Sequence, residues 1–262
     1  MNDVLEQIVA RTRQRLAGAA VDVEDVRLAA REQARRRTPH AFSSALRANG
    51  VNVIAEIKSA SPSAGSIVPD PKVEEIAAEY ARGGAAAISI VTEPEFFLGS
   101  REWIARAKES ANLPVVMKDF IVEPSQLLTA AAAGADAVLL LASLLSSKQI
   151  ARFIELLDEF AIDALVEVHD EAELDRAIEA GSRLIGVNNR DLRTFNVDLA
   201  TAEKLAKRMP ADVTRVAESG IRNRQDVDRL RNAGFHAFLV GESLLRQNDR
   251  AAAVRSLVRR DE

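Results

Sequence analysis

Short blocks of consecutive apolar residues punctuate the chain, and each is followed by a longer stretch in which apolar positions recur every three or four residues. The blocks are Val51–Ile57, Ala86–Val91, Pro114–Met117, Ala137–Leu141, Ala164–Val168, Leu184–Val187, Val213–Ala217 and Ala237–Val240. They are rich in Val, Ile, Leu and Ala and do not alternate strictly with polar residues, which predicts parallel strands covered on both faces. The stretches between them predict amphipathic helices, as in EAELDRAIEAG (Leu174, Ala177 and Ile178) and RQDVDRLRNAG (Val227 and Leu230). Gly84, Gly134, Gly181 and Gly234 close such helices just ahead of a strand, where a left-handed cap is wanted.

Those glycines lie 50, 47 and 53 residues apart, with one further strand between each consecutive pair. Eight strand–helix units at this spacing predict an α/β fold of the (β/α)8 TIM-barrel type, since about 250 residues is its usual size. An open doubly wound sheet is the alternative, but no GxGxxG opens the first helix. The predicted organisation is a single domain over residues 1–262, with a helical extension at 1–50 and the barrel at 51–262. Leu5, Ile8, Val9 and Leu16 have helical spacing, so the extension is expected to pack on the barrel. Arg35–Arg37 read as a solvated helix face, with a fringe charge near an anionic substrate as the sharper alternative.

Composition narrows the function classes. Apolar residues make up 47% and charged residues 28% of 262, ordinary for a globular chain with a sizeable core. The net charge of −4 gives no basic footprint for nucleic acid. There is no Cys, which excludes disulfides, thiolate metal sites and a Cys nucleophile. His40, His169 and His236 form no HxxxH pair, so no metal site is expected. The first twenty residues lack the apolar block of a signal peptide. Ala137–Leu145, the longest apolar stretch, is far short of the ~20 residues that span a bilayer. A soluble cytoplasmic protein with no membrane partner is expected.

Polar residues at the ends of the apolar blocks are the informative ones. In a barrel, side chains alternate between the interior and the helix layer. Within VNVIAEIK, Val53, Ala55 and Ile57 suit the helix layer, which turns Ile54, Glu56 and Lys58 inward. The third block ends in Lys118, the fifth in Glu167, the sixth in Asn188 and the seventh in Glu218. Burying a charge without compensation costs several kcal/mol, so six such groups from five strands at one end are hard to explain as packing. Catalytic residues of this fold come from the ends of several strands. His169 lies one step beyond Glu167 and reads as a rim or hydrogen-bonding histidine. After the last two strands, Gly220 and Gly241 allow close backbone approach, in the region where barrels hold phosphate. The loop 59–67 offers Ser61 and Ser63 as donors, and the loop 92–100 carries Phe96 and Phe97, an aromatic wall or core packing for one of them.

Seven segments in order, VIAEIKSASPS, TEPEFFLGS, VMKDFIV, LVEVHDE, IGVNNRDL, VAESGI and AFLVGESL, together resemble the indole-3-glycerol phosphate synthase family over nearly the whole chain. The resemblance implies a carboxy-lyase of tryptophan biosynthesis that needs no metal or organic cofactor. Its substrate would be 1-(2-carboxyphenylamino)-1-deoxyribulose 5-phosphate, a small molecule with anthranilate and ribulose phosphate moieties, closed to indole-3-glycerol phosphate with loss of CO2 and H2O. By the same resemblance Lys118 matches the general acid, Glu167 the general base and Lys58 the lysine near the carbonyl and phosphate. Which lysine acts at which step is not settled by the sequence. Glu56 and Asn188 match residues that orient the lysines and the substrate, and Glu218, with Glu56, would keep a lysine cationic. Arg190 and Ser61 would lie near the anthranilate carboxylate, and Ser63 is a further donor for a carboxylate or phosphate. Phe97, Phe120 and Leu139 match the apolar wall, and Ser219, Gly220, Gly241 and the backbone N–H of Glu242 the phosphate cradle. One departure is Ala64, where many members carry Lys; weaker substrate capture is expected from it. A phosphate-binding isomerase relying on a strand-1 cysteine is disfavoured by the absence of Cys, and a Schiff-base aldolase or a non-catalytic sugar-phosphate binder are the other rivals. The oligomeric state is left open, with a monomer as the working expectation.

Overall fold

In a computed structural model that describes residues 4–18, 22–191 and 194–259, eight parallel strands close into a barrel. The strands, in chain order, are β1 (Asn52–Ile57), β4 (Ala87–Val91), β5 (Val115–Lys118), β6 (Ala137–Leu141), β7 (Asp163–Val168), β8 (Leu184–Asn188), β9 (Thr214–Glu218) and β10 (Ala237–Val240). β1 pairs with both β4 and β10, which completes the ring. Two short antiparallel strands, β2 (Ala60–Ser61) and β3 (Gly65–Ser66), turn the loop after β1 into a ribbon. That ribbon was not expected from a sequence of Ser, Pro and Gly, which reads as a plain turn.

Helices α4 (Val73–Gly83), α5 (Glu102–Ala111), α6 (Pro124–Ala132), α7 (Ser147–Asp158), α8 (Glu171–Glu179), α9 (Ala200–Ala206) and α10 (Arg224–Asn232) alternate with the strands, and α11 (Glu242–Leu245) and α12 (Arg250–Val258) follow β10. Ser146, Asp170 and Asn223 accept backbone N–H bonds at helix starts, satisfying donors that have no partner within the helix. Gly84, Gly134, Gly181 and Gly234 all have φ between 76° and 93°, so the left-handed caps fall at the glycines the spacing marked.

Two apolar layers result from the alternation of side chains along the strands. Val53, Ala55 and Ile57 belong to the large core between strands and helices, and Ile54 belongs to the barrel interior, as the β1 pattern required. The interior stack contains Ala87, Val116, Ala137, Leu165, Val216 and Ala237. Phe42 and Leu46 of the extension join it, both fully buried. They come from α3 (Ala41–Leu46), which plugs the N-terminal end of the barrel. Asp163, at the start of β7, accepts from the Ser43 N–H at 2.8 Å, and Thr214, at the start of β9, accepts from Arg47 at 2.6 Å.

The rest of the extension divides its labour. α2 (Val23–Arg36) lies against α6 at the outside of the barrel. Arg35 and Arg36 are exposed and pair with Glu32, but Arg37 is buried. Its Nε lies 3.5 Å from Asp136, and its guanidinium donates to the carbonyls of Phe160 and Ala131. Asp136 immediately precedes β6, so Arg37 fastens the end remote from the strand C-termini. It is neither a solvated face nor a substrate fringe charge. Helix α1 (Val4–Gly18) lies instead at the C-terminal mouth, where Val4, Leu5 and Ile8 line the central cavity. Among the described residues no helix is long and apolar enough to cross a membrane.

Candidate active site

The strand register determines which side chains meet at the mouth. β7 pairs with β8 so that Glu167 stands beside Gly186, and β8 pairs with β9 so that Asn188 stands beside Glu218. Lys118 ends β5 opposite Val91. β5, β8 and β9 each end in a polar residue that lines the cavity and run one position beyond the end of their apolar blocks, whereas β7 ends at Val168, one residue past Glu167. Lys118 Nζ donates to Glu167 Oε2 at 2.8 Å and lies 3.3 Å from Glu218 Oε2. Asn188 Nδ2 donates to Glu167 Oε1 at 3.0 Å. A second ammonium enters from β1: Lys58 Nζ donates to Glu56 Oε1 at 2.5 Å.

Both carboxylates around Lys118 are almost fully buried, with side chains 2% exposed. Burial alone would make the Lys118 ammonium easier to deprotonate, but the charges of Glu167, Glu218 and Glu56 outweigh it and hold the group cationic, above the ordinary lysine range. Burial alone would raise Glu167, yet Lys118 first, then His169 and Asn188, bring it well below the ordinary carboxylate range. Glu218 moves the other way. Burial, reinforced by the charge of Glu167 and only partly opposed by Lys118, pushes it up to about 8. One carboxyl of the pair is thus an ionised acceptor at neutral pH while its neighbour keeps a proton.

His169 sits behind this group and does not line the cavity. Its Nε2 is 3.3 Å from Glu167 Oε1, and its Nδ1 is 3.0 Å from Glu173 Oε2. Burial alone would lower the imidazole, but the hydrogen bonds and charges of Glu167 and Glu173 outweigh it and raise the group to about 10. The imidazolium is a buttress for Glu167.

The cavity measures about 620 Å³. The residues that the family resemblance assigns to the site all line it: Glu56, Lys58, Ser61, Ser63, Phe97, Lys118, Phe120, Leu139, Glu167, Asn188, Arg190, Glu218, Ser219, Gly220, Gly241 and Glu242. Phe97 and Phe120 stand with ring centroids 5.9 Å apart and form one wall, with Leu139 beneath among the interior residues. Phe96 does not line the cavity, so only one of the two adjacent aromatics faces it. Ser61 Oγ accepts from the Ala64 N–H at 3.1 Å and lies 3.4 Å from Ser63 Oγ. Across the cavity, Ser219 and Gly220 are both left-handed, with φ of 63° and 81°, and a Cβ at Gly220 would press on Val197. Gly241 precedes α11 directly.

Two glycines make room for the charges. A Cβ at Gly186 would overlap Glu218 Oε1, and one at Gly241 would overlap Glu56 Oε1. Several lining residues had no signal in the sequence. Val4, Leu5 and Ile8 carry a helical pattern that says one face is buried but not against what. Arg222, an exposed residue from the turn after β9, also lines the cavity, as do its neighbours Ser219 and Gly220. An Arg in a polar turn segment (ESGIRNR) does not stand out in the sequence.

A closed parallel barrel whose strand C-termini gather two ammonium groups and three carboxyl groups around one cavity is an enzyme of the (β/α)8 class, equipped for proton transfer. Solved structures agree on the fold alone. A thiamine phosphate pyrophosphorylase from Pyrococcus furiosus aligns with a TM-score of 0.59 at 17% identity, covering 81% of this chain and 95% of that one. KGPDC from Streptococcus mutans aligns with a TM-score of 0.60 at 13% identity, covering 80% of this chain and 96% of that one. Sequence relatives are much nearer. The indole-3-glycerol phosphate synthase of Carboxydothermus hydrogenoformans is 43% identical over 261 residues, 97% of this chain and 99% of its own length. That of Ruminiclostridium cellulolyticum is 43% identical over 221 residues, 84% of this chain and 85% of its own length. The family model for indole-3-glycerol phosphate synthase matches residues 5–257, and the chain belongs to that family.

Proposed function

We propose that the protein converts 1-(2-carboxyphenylamino)-1-deoxyribulose 5-phosphate to indole-3-glycerol phosphate, CO2 and H2O, the carboxy-lyase step of tryptophan biosynthesis. The observation that carries the assignment of roles is the Lys118 ammonium held between Glu167 and Glu218 at the cavity floor.

The chemistry follows from proton accounting. Ring closure forms a bond between the aryl carbon that bears the carboxylate and the ketone carbon, and the carbonyl π electrons move to oxygen. That oxygen needs a proton as charge develops, and Lys118 supplies it as general acid. Loss of CO2 returns the bonding pair to the ring and restores aromaticity without a further proton. Dehydration then needs one proton for the leaving hydroxyl and one base for the proton on the carbon next to nitrogen. Glu167, ionised and facing the same cavity, is that base. Lys58, the second ammonium, protonates the departing hydroxyl and regains its proton from solvent, which supplies the one proton that conversion of the carboxylate substrate consumes overall. The 2.8 Å contact between Glu167 and Lys118 lets the proton taken by the carboxylate return to the amine, so the acid is reset within the site.

Recognition divides between two ends of the cavity. The turns at Ser219–Gly220 and Gly241–Glu242 bring backbone N–H groups, with Arg222 beside them, toward the phosphate. Phe97, Phe120 and Leu139 meet the aromatic ring, with Ser61, Ser63 and Arg190 near the anthranilate carboxylate. Extension and barrel act as one unit in this reading, because α1 supplies part of the cavity lining. All the residues required come from one chain, which suits a cytoplasmic enzyme working as a monomer on a free metabolite.

The test is direct. Folded protein given the carboxyphenylamino substrate develops indole fluorescence; a folded sample that produces none overturns the assignment.

A further inference from the structure

No strand supports the Phe97 side of the aromatic wall, because residue 97 lies in the loop between β4 and α5. That loop is organised around Glu93, which is fully buried. Glu93 Oε1 accepts from the Glu95 N–H at 3.1 Å, and Oε2 accepts from the Phe96 and Phe97 N–H groups at 2.6 and 3.1 Å. The Glu93 carbonyl accepts from the Gly99 N–H at 2.8 Å, closing the loop on itself. Phe97 in turn accepts from the Ala60 N–H at 3.2 Å, which ties the wall to the β2–β3 ribbon bearing Ser61. A buried carboxylate also needs a cation, and Arg15 of α1 provides it at 3.6 Å, while bridging to Glu95 at 3.2 Å.

We propose that Glu93 is a positioning residue for the aromatic end of the substrate: it fixes the Phe97 ring, and through Arg15 it makes the seating of α1 and the formation of the wall a single event. The inference rests on the function assigned above. Among the described residues, the hydrogen-bond and ion-pair partners of the Glu93 side chain belong either to the loop that carries Phe97 or to the helix at the mouth. Lys118, Glu167 and Glu218 stand on strands, and their hydrogen bonds run to one another rather than to Glu93. Loss of Glu93 therefore falls on binding of the ring and leaves proton transfer alone. The phosphate turns after β9 and β10 are likewise untouched.

The substitution Glu93→Gln keeps size but leaves one acceptor oxygen for three N–H donors, and turns an amide NH2 against at least one of them. Steady-state kinetics, with inorganic phosphate as a competing inhibitor, separates the two ends of the site. The expected result is KM raised about tenfold, the size of one lost hydrogen bond, with kcat within about twofold of the parent and phosphate inhibition unchanged. Arg15→Ala, at a partly exposed side chain, should raise KM about threefold, and the double variant should be less than multiplicative because both act through one loop. An unchanged KM in Glu93→Gln overturns the proposal, and so does a fall in kcat or in phosphate affinity of equal size. Should Glu93→Gln fail to fold, Arg15→Ala decides, and an unchanged KM there overturns it. A parent protein that turns over no substrate would instead overturn the functional assignment, irrespective of the variants.

Discussion

Replacing Lys118 separates its two duties, giving a proton and keeping Glu167 ionised. Lys118→Ala removes a positioned acid, which alone costs about 10²–10⁴ in kcat. It also leaves Glu167 and Glu218 buried without the cation that lies 2.8 and 3.3 Å from them. At an effective dielectric constant of about 20, an ion pair near 4 Å is worth about 4 kcal/mol, so loss of the ammonium shifts the Glu167 carboxyl upward. The acid limb of the kcat profile should therefore move to higher pH. Lys118→Arg keeps the charge but not the proton, since a guanidinium is not deprotonated in this range. It should lose kcat to about the same degree as expected for the acid alone while its acid limb stays where the parent's lies. Initial rates of indole fluorescence from pH 5 to 9 for the three proteins make the comparison. The reasoning fails if Lys118→Ala retains kcat within tenfold of the parent, or if the Ala and Arg variants share one pH profile.

Other consequences are open to measurement. His169→Asn removes the imidazolium 3.3 Å from Glu167 Oε1, so the acid limb should again rise, by less than in Lys118→Ala, with KM unchanged; an unshifted limb would show that His169 has no bearing on the base. Stability should fall toward alkaline pH. His169, raised to about 10 from 6.5, and Glu218, raised to about 8 from 4.5, both bind protons more tightly when folded. Each contribution is complete below the unfolded value and is lost as pH rises through the folded one, that of Glu218 between about pH 4.5 and 8 and that of His169 between about pH 6.5 and 10, so urea midpoints should decline from about pH 4.5 to 10. A flat midpoint across that window would contradict the assignment of these two groups. Ala64→Lys restores a cation to the ribbon loop and should lower KM at low salt; a KM that does not move would count against an electrostatic role for that loop.

Much of the barrel could be read from local pattern. Strand identity followed from the apolar blocks, and the inward turn of Glu56 and Lys58 followed from the two-residue alternation in VNVIAEIK, because a strand has only two faces to choose between. The last strand residues, such as Asn188 and Glu218, were assigned outside the blocks because hydrogen-bond register, not hydrophobicity, ends a strand. What resisted reading was tertiary docking. Leu5 and Ile8 announce a helix with a buried face, but the choice of the mouth over the barrel wall is made by Arg15 and Arg11 against Glu93 and Glu95, some 80 residues away. Arg37 resembles Arg35 and Arg36 in the sequence and differs only because Asp136, a hundred residues on, waits for it. Glu93 looked like one more loop acid, since its importance lies in backbone N–H groups that no residue pattern displays.

The bare backbones at Gly186 and Gly241 reach beyond this enzyme. Glu218 and Glu56 occupy volume that the neighbouring strands vacate by having no side chain there. A designer who transplants the charged groups into an unrelated scaffold must therefore carry the two empty positions with them. With a methyl group at Gly186, the Glu218 carboxyl would be displaced and its unusual affinity for protons would relax with it; one at Gly241 would push Glu56 out of its place beside Lys58.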